Sequence, residues 1–384
     1  MTSWVWREAV NWPRRARGSL FCLKDEQQVK RIRRRGILLL PLESELEGGN
    51  EAFKYVARAL RFANLIGRPR PRSVTNGKGL PRFVEWLWFN VQLLVYGASN
   101  AEHYDTVVAT SHWYALQGTL LALLYRKRLI CCYGAYSWAY WRNGIRSFPY
   151  SAALRIIELI SSRFADILIV TTERDRRALT RGGAKHQKVL VLPPVYPSKM
   201  LSEAVSTRTQ KVVRRILFVG DVSYLPNAEA AKWIDRVLCP YLRESGWAGE
   251  VVLVGRGNPA LRLVNAHYLG YVRDIFREIR EADLCIAPVW KCVGAVTKVL
   301  DYLACGRPSV VSWEVAETIS GVEDGVHCLI ARGGADFRQK VRELIESPSR
   351  RHQLGVKGQE LVRERYSEEV SAETLVRALE NEGK

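Results

Sequence analysis

The feature that most constrains the fold is an alternation that runs along the chain twice. Short apolar runs, GILLLPL (36–42), YDTVVATS (104–111), RLICCYG (128–134), ADILIVTT (165–172) and KVLVLPP (188–194), are separated by longer stretches with apolar residues at helical spacing. Strands that alternate with helices are joined by crossovers rather than hairpins, which predicts a parallel sheet with helices on its faces. The pattern restarts with RILFVG (215–220), EVVLVG (250–255), ADLCIAP (282–288), PSVVS (308–312) and HCLIA (327–331). Between the two series lies VYPSKMLSEAVSTRTQKVVRR (195–215), with prolines in and just before it and no clear period. A chain of 384 residues has the length for two domains at ~100–200 residues each. The expected organisation is a leader over 1–35, a Rossmann-like domain over 36–195, a linker over 196–214, a second Rossmann-like domain over 215–365, and a terminal helix over 366–384 that packs back on the first domain. The fold class is α/β, with two doubly wound domains facing a central cleft where the carboxyl ends of both sheets meet one ligand. After the first strand, ESELEGGNEAFKYVARALRFANLI (43–66) reads as a glycine turn followed by a helix.

Composition narrows the function classes. A hydrophobic share of 47% with 25% charged residues excludes disorder by low hydrophobicity. No run approaches the ~20 apolar residues of a spanning helix, and the first twenty residues lack the apolar centre of a signal peptide, so a cytoplasmic location is expected. The eight cysteines form no CxxC pair and several sit in apolar runs, which reads as core packing. The 58 basic against 39 acidic residues give +19, concentrated early: residues 1–35 hold ten Lys/Arg and three acids, and 68–82 hold five and none. Such an excess attracts anionic membrane lipid or nucleic acid, or is a solvated surface. No nucleic-acid-binding motif accompanies it, so no specific nucleic acid is expected. LPRFVEWLWFNVQLLVYG (80–97) directly follows the second basic stretch and has two readings, an interfacial helix leaning on anionic lipid or a core helix.

The chemistry concentrates in PVWKCVGAVTKVLDYLACGRPSVVS (288–312). A strand ends at Pro288, a turn forms at Gly294, and a helix over about 295–304 is stopped by Gly306. The amino end of a helix at the carboxyl edge of a sheet presents unpaired N–H groups and the positive end of the dipole, which suits a diphosphate. Lys298, expected to be exposed on the first turn, adds a full charge there. Asp301 follows three residues later and can accept hydrogen bonds from hydroxyls; a surface ion pair between the two is the other reading.

Four segments in order, LFVGDVSYLPNAEAAKWIDRVLCPYLR, VVLVGRGNP, YLGYVRDIFREIREADLCIAP and GAVTKVLDYLACGRPSVVS, resemble the C-terminal domain of the retaining glycosyltransferases of family four, the glycosyl transferases group 1, over about residues 216–366. The resemblance implies a GT-B fold, a nucleotide-sugar donor, transfer with retention, no metal and no cofactor beyond the donor. By position, Gly294, Ala295, Val296, Thr297 and Lys298 match the turn and cation that hold the donor diphosphate. Asp301 stands where the family places a ribose-binding Glu, and Val293 stands where it places an earlier acid toward the transferred sugar. Tyr271 and Val272, with Gly270, match the loop that reads the base; Gly220 and Arg256 match positions near the donor phosphates, with a solvated loop residue as the other reading of Arg256.

The first half resembles the family more faintly. Gly48 and Gly49 match its first strand-to-helix loop, where the lack of a Cβ admits close approach, and read equally as a turn pair. Tyr133 falls where many relatives carry a His beside the transferred sugar, or is a core tyrosine; His112, after a strand, is a candidate for contact with the acceptor. The expected partners are a nucleotide-sugar and a glycan, lipid-linked or small-molecule acceptor, with peripheral association to an anionic membrane. Two other classes stay open, a nucleotide-sugar epimerase of similar architecture and a degenerate, non-catalytic sugar-nucleotide-binding protein.

Overall fold

The computed structural model describes residues 36–42, 64–69, 80–137, 148–185, 188–196, 201, 212–257 and 262–381. They fall into two compact units: Val195–Ser367, and the described residues before it together with those from Glu368 onward. The leader over 1–35 lies outside the described residues, as do Gly48 and Gly49.

The first unit along the chain is a parallel sheet of β1 (Gly36–Leu42), β2 (Asn64–Pro69), β3 (Thr106–Ala109), β4 (Arg128–Tyr133), β5 (Ile167–Val170) and β6 (Val189–Val191), in the order β2-β1-β3-β4-β5-β6. The burial of every residue in β3 and β5 explains their continuous apolar sequence, since a sheet covered by helices has no solvent face. The helices described are α1 (Leu80–Ser99), α2 (His112–Tyr125), α3 (Phe148–Phe164) and α4 (Glu173–Arg181). Thr172 caps α4 by accepting from the Asp175 N–H at 3.0 Å. In the apolar segment over 80–97, α1 buries Phe89 and Leu93 in the core, as the core-helix reading expects, while Trp88 and Val95 stay exposed.

The Val195–Ser367 unit is a second parallel sheet, of β7 (Arg215–Val219), β8 (Glu250–Val254), β9 (His267–Gly270), β10 (Leu284–Ala287), β11 (Ser309–Ser312) and β12 (Leu329–Ala331), in the order β12-β11-β10-β7-β8-β9. Its helices are α5 (Leu225–Trp233), which runs through a π-helical turn (Ile234–Leu238) into α6 (Cys239–Glu244), then α7 (Ile275–Glu281), α8 (Thr297–Ala304), α9 (Trp313–Ala316), α10 (Gly334–Glu346) and α11 (Pro348–Arg365). The last helix of the chain, α12 (Glu368–Asn381), groups with the first unit. The seven described cysteines are all buried and free.

Three local expectations change. Asn64–Ile66, read as the end of a helix, belong to β2, and Gly270, read as part of a loop, ends a strand, β9, that was not anticipated; both strands are short and lack alternation strong enough to signal them. Residues read as linker enter the core instead: Tyr196, Leu201 and Val213 are buried in the Val195–Ser367 unit, and the Tyr196 N–H donates to the Tyr366 carbonyl at 2.7 Å. Prolines with no periodicity mark irregular backbone, which can be buried when its side chains are apolar. The fold class stands as an α/β chain with two parallel-sheet domains.

Candidate functional site

In the Val195–Ser367 unit the strand order reverses at β7: β8 and β9 extend to one side of it, and β10, β11 and β12 to the other. In open parallel sheets a crevice opens outside the carboxyl ends of the strands at such a point. Three loops meet this edge: Gly220–Asp221–Val222 after β7, Gly255–Arg256–Gly257 after β8, and the loop that leads from β10 to α8.

Helix α8 brings the cation to the crevice. Val296 precedes it with non-helical backbone (φ −91°, ψ 82°), and Gly294 turns the chain with φ +67°, a conformation costly to residues bearing a Cβ. The Val296 N–H donates to Thr318 Oγ1 at 3.2 Å, fixing the entry to the helix. The N–H groups of the first turn have no carbonyl earlier in the helix to bind, so Thr297 and Lys298 offer donors at the positive end of the dipole. Tyr302, fully buried, locks the other side: its hydroxyl accepts from the Val219 N–H at 2.8 Å and donates to the Ile286 carbonyl at 3.4 Å, joining α8 to the ends of β7 and β10. Cys305 and Gly306, at φ +62°, close the helix.

Lys298 is half-buried, which corrects the expected exposure. Its Nζ donates to Asn227 Oδ1 at 2.6 Å and stands 4.3 Å from the centroid of the Phe218 ring. A Cβ built on Gly220 would come within 3.0 Å of Nζ, so the ammonium sits against the end of β7. Burial lowers the Lys298 pKa to about 7, against the opposing pull of Asp301 and Cys292. The helix turns Lys298 toward the strand end because residues 299 and 300, on the neighbouring faces, are buried in the core.

Asp301 is buried and accepts a hydrogen bond from the Tyr196 hydroxyl at 2.6 Å. The same hydroxyl lies 3.4 Å from the Thr297 carbonyl, so a residue expected in the linker braces the first turn of α8. Lys298 and Asp301 thus face different partners rather than forming the surface ion pair that was the other reading. Ala295 and Val296 are half-buried on the approach to the helix.

The strand-end loops are held close. A Cβ on Gly255, at φ +148°, would fall 2.1 Å from the Gly220 carbonyl oxygen, so only glycine admits this approach. The Val222 N–H donates to the Arg256 carbonyl at 3.0 Å, and the Arg256 side chain is exposed. Asn227 Nδ2 donates to the Asp221 carbonyl at 3.0 Å, which orients the amide oxygen that meets Lys298. Tyr271 is 53% exposed beyond β9, beside half-buried Val272, and Gly270 turns there with φ +72°.

In the other unit the strand order reverses at β1, and His112 opens α2 just after β3, the neighbour of β1. His112 is buried, its Nε2 3.4 Å from Glu158 Oε2 and its ring stacked on Tyr133 at 4.3 Å. Tyr133 has no exposed surface, and its hydroxyl bonds Ser161 inside the core. Glu158 also receives Arg155 and, at 3.0 Å, the Ser137 N–H. Burial alone would raise the Glu158 pKa, but the His112 hydrogen bond and charge, with Ser137 and Arg155, outweigh it and hold the carboxyl below its ordinary value. These residues form a buried hydrogen-bonded network in which Tyr133 is a structural member.

Asn227, Tyr196 and Tyr302 were not singled out in the sequence. Asn227 lies in the resembling segment, after the proline of YLPNAE, but an asparagine near a helix start is ordinary capping chemistry. Tyr196 and Tyr302 act through contacts distant in sequence, 105 residues apart for Tyr196 and Asp301.

Two doubly wound sheets, one with a helix amino end and an ammonium at its switch point, place the molecule among GT-B architectures. The family model of glycosyl transferases group 1 matches residues 213–347, which contain β7 through α10 and the Lys298 site apart from Tyr196. No curated protein sequence matches the chain. Among solved structures, the chain is similar to sucrose-phosphate synthase from Thermosynechococcus elongatus, at TM-score 0.68 and 15% identity over 91% of this chain and 99% of that one. It is also similar to Anabaena HepE in complex with UDP, at TM-score 0.66 and 14% identity over 90% and 100%. The lipopolysaccharide outer core galactosyltransferase WaaB in its apo form superposes at TM-score 0.62 and 11% identity over 90% and 99%.

Proposed function

We propose that the chain is a retaining glycosyltransferase that moves a hexose from a nucleoside-diphosphate sugar to a glycan, lipid-linked or small-molecule acceptor, acting in the cytoplasm at or near a membrane. The observation that carries this reading is the meeting of the Lys298 ammonium and the first turn of α8 with the Gly220 end of β7, at a strand-order reversal. As the bond between the anomeric carbon and the diphosphate breaks, negative charge grows on the leaving oxygen. Preformed N–H donors and an ammonium at that point stabilise the charge without reorganising. In this reading Lys298, Thr297 and the Gly294 turn hold the diphosphate with the Gly220 and Arg256 loops beside it, Asp301 stands toward the ribose, and Tyr271 with Val272 meets the base. The acceptor then attacks on the face the diphosphate leaves, so no glycosidase-type carboxylate nucleophile is required. That HepE was crystallised with UDP and with UDP-glucose supports a uridine nucleotide as the first donor to try.

The test is a thermal-shift and calorimetric screen of the full chain against UDP, other nucleoside diphosphates and their sugars, followed by donor hydrolysis. Binding at a hundred times Kd adds about 2.7 kcal/mol of stability. A shift with one nucleotide, lost in Lys298→Ala, together with release of free sugar, is the expected result. Absence of any shift overturns the donor reading, and a shift without hydrolysis or transfer to any acceptor points instead to a sugar-nucleotide-binding protein.

A further inference from the structure

Helix α2, HWYALQGTLLALLY, contains no charged residue and is apolar on both sides. Its inner side packs Ala115 and Leu121 into the core, while Leu116, Leu120, Leu123 and Leu124 are 39–66% exposed. A helix that is apolar all round is ordinarily enclosed by protein or by lipid. Fourteen residues are too few to cross a bilayer, where ~20 are needed, and among the described residues no helix is long and apolar enough to cross a membrane. The neighbours continue the surface. Helix α2 packs against both α1 and α3, and these expose Trp88 and Val95 on one side and Ile156, Ile160 and Phe164 on the other, 42–62% accessible. From β3 onward every step in the sheet moves in one direction, so right-handed crossovers put α2, α3 and α4 on one face of the sheet.

The charges around this face are mainly basic. Arg126, Arg163, Arg177, Arg181 and Lys185 are exposed, against the exposed acids Glu102 and Asp105 before β3 and the Glu173 side chain at the start of α4, 40% accessible. Helix α4, which carries two of them, adjoins α3 through the bond from Arg155 to the Gly182 carbonyl at 3.2 Å. A second copy of the chain docked symmetrically on this face would set these cations against their own counterparts. An anionic lipid surface complements both the apolar centre and the basic rim.

We propose that the outer face of the α1–α2–α3 layer docks on an anionic lipid bilayer, its leucines, isoleucines and aromatic rings entering the headgroup region while Arg126, Arg163 and the α4 arginines meet lipid phosphates. The interaction is independent of the donor site and survives even if the proposed transfer reaction fails its own test.

The experiment is sedimentation of the full chain with vesicles of phosphatidylcholine containing phosphatidylglycerol, and with phosphatidylcholine alone, at low and high salt, for the parent and for Leu120→Glu/Leu124→Glu/Ile160→Glu. The parent should sediment with the anionic vesicles, and at least tenfold less with the neutral ones. The triple variant should lose binding at least tenfold while keeping the parent's circular dichroism and melting midpoint. If the triple variant does not fold, the single Leu124→Glu, at a residue 66% exposed, carries the same comparison. Failure of the parent to sediment with anionic vesicles at low salt, or unchanged binding by a folded variant, overturns the proposal. So does a dimer, seen by analytical ultracentrifugation without lipid, that the variant converts to monomer, since the face would then join two copies.

Discussion

At the scale of single residues, Lys298 decides most. Its ammonium is bonded to Asn227 and lies over Phe218, and burial brings its pKa down to about 7. Lys298→Ala should lower donor turnover about a hundredfold, the loss that follows removal of one preorganised group facing a developing anion. Steady-state kinetics with the identified donor checks this. The low pKa has a second consequence with a definite sign. Between about 7 and the ordinary value of 10.5 the unfolded chain holds a proton on this amine that the folded chain has released, so this group makes stability rise with pH across that window. Denaturant titrations from pH 7 to 10 should show that rise reduced in Lys298→Met. A bound diphosphate favours the charged amine, so nucleotide affinity should fall as pH climbs above about 7, and Lys298→Arg, always charged, should flatten the fall if it still binds. Lys298 was legible in the sequence because glycine, helix start and lysine fall at informative spacing; Asn227 was not, because its meaning depends on a side chain 71 residues away.

At the scale of elements, the close approach of strand ends and helices rests on particular glycines. Gly255→Ala would drive a Cβ against the Gly220 carbonyl and force a positive φ on alanine, so it should destabilise by more than about 1 kcal/mol and loosen both loops. Urea denaturation with intact m-value would show it. In α3, Glu158 joins Arg155, His112 and the Ser137 amide in a buried network. Glu158→Ala strands the Arg155 cation and should cost about 3 kcal/mol, read as a lowered unfolding midpoint. Because the Glu158 pKa is lowered on folding, its contribution is complete above its ordinary value of 4.5 and is lost as pH falls through the lower folded value. The strands with long β-branched runs were plain in sequence. β2 and β9 were not, since NLIGRP and HYLG gain their strand pairing from β1 and β8 rather than from local propensity.

At the scale of the whole molecule, the two units carry different duties in the proposed reaction. Nucleotide should slow amide hydrogen exchange in the first turn of α8 and in the loops after β7 and β8, with little change in β4 and β5. Equal protection of both units would assign the nucleotide a larger footprint than the Lys298 site. The net charge of +19 acts at this scale too, as a field that draws the chain to anionic surfaces and weakens with salt.

The sequence by itself determined that there are two parallel, helix-covered sheets, because the alternation of apolar runs and helical periods admits little else, and it marked Gly294–Lys298 as a turn into a helix start, the candidate site for an anion. Only the tertiary structure decided where that start lies. The strand order sets β7 beside β10, Tyr302 ties α8 to both, and Asn227 and Tyr196 arrive from distant positions to orient Lys298 and Asp301. Likewise, the apolar letters of α1, α2 and α3 are the same whether they face a core or solvent. Packing alone assigns each leucine its side, because helical periodicity gives direction only when one face is polar.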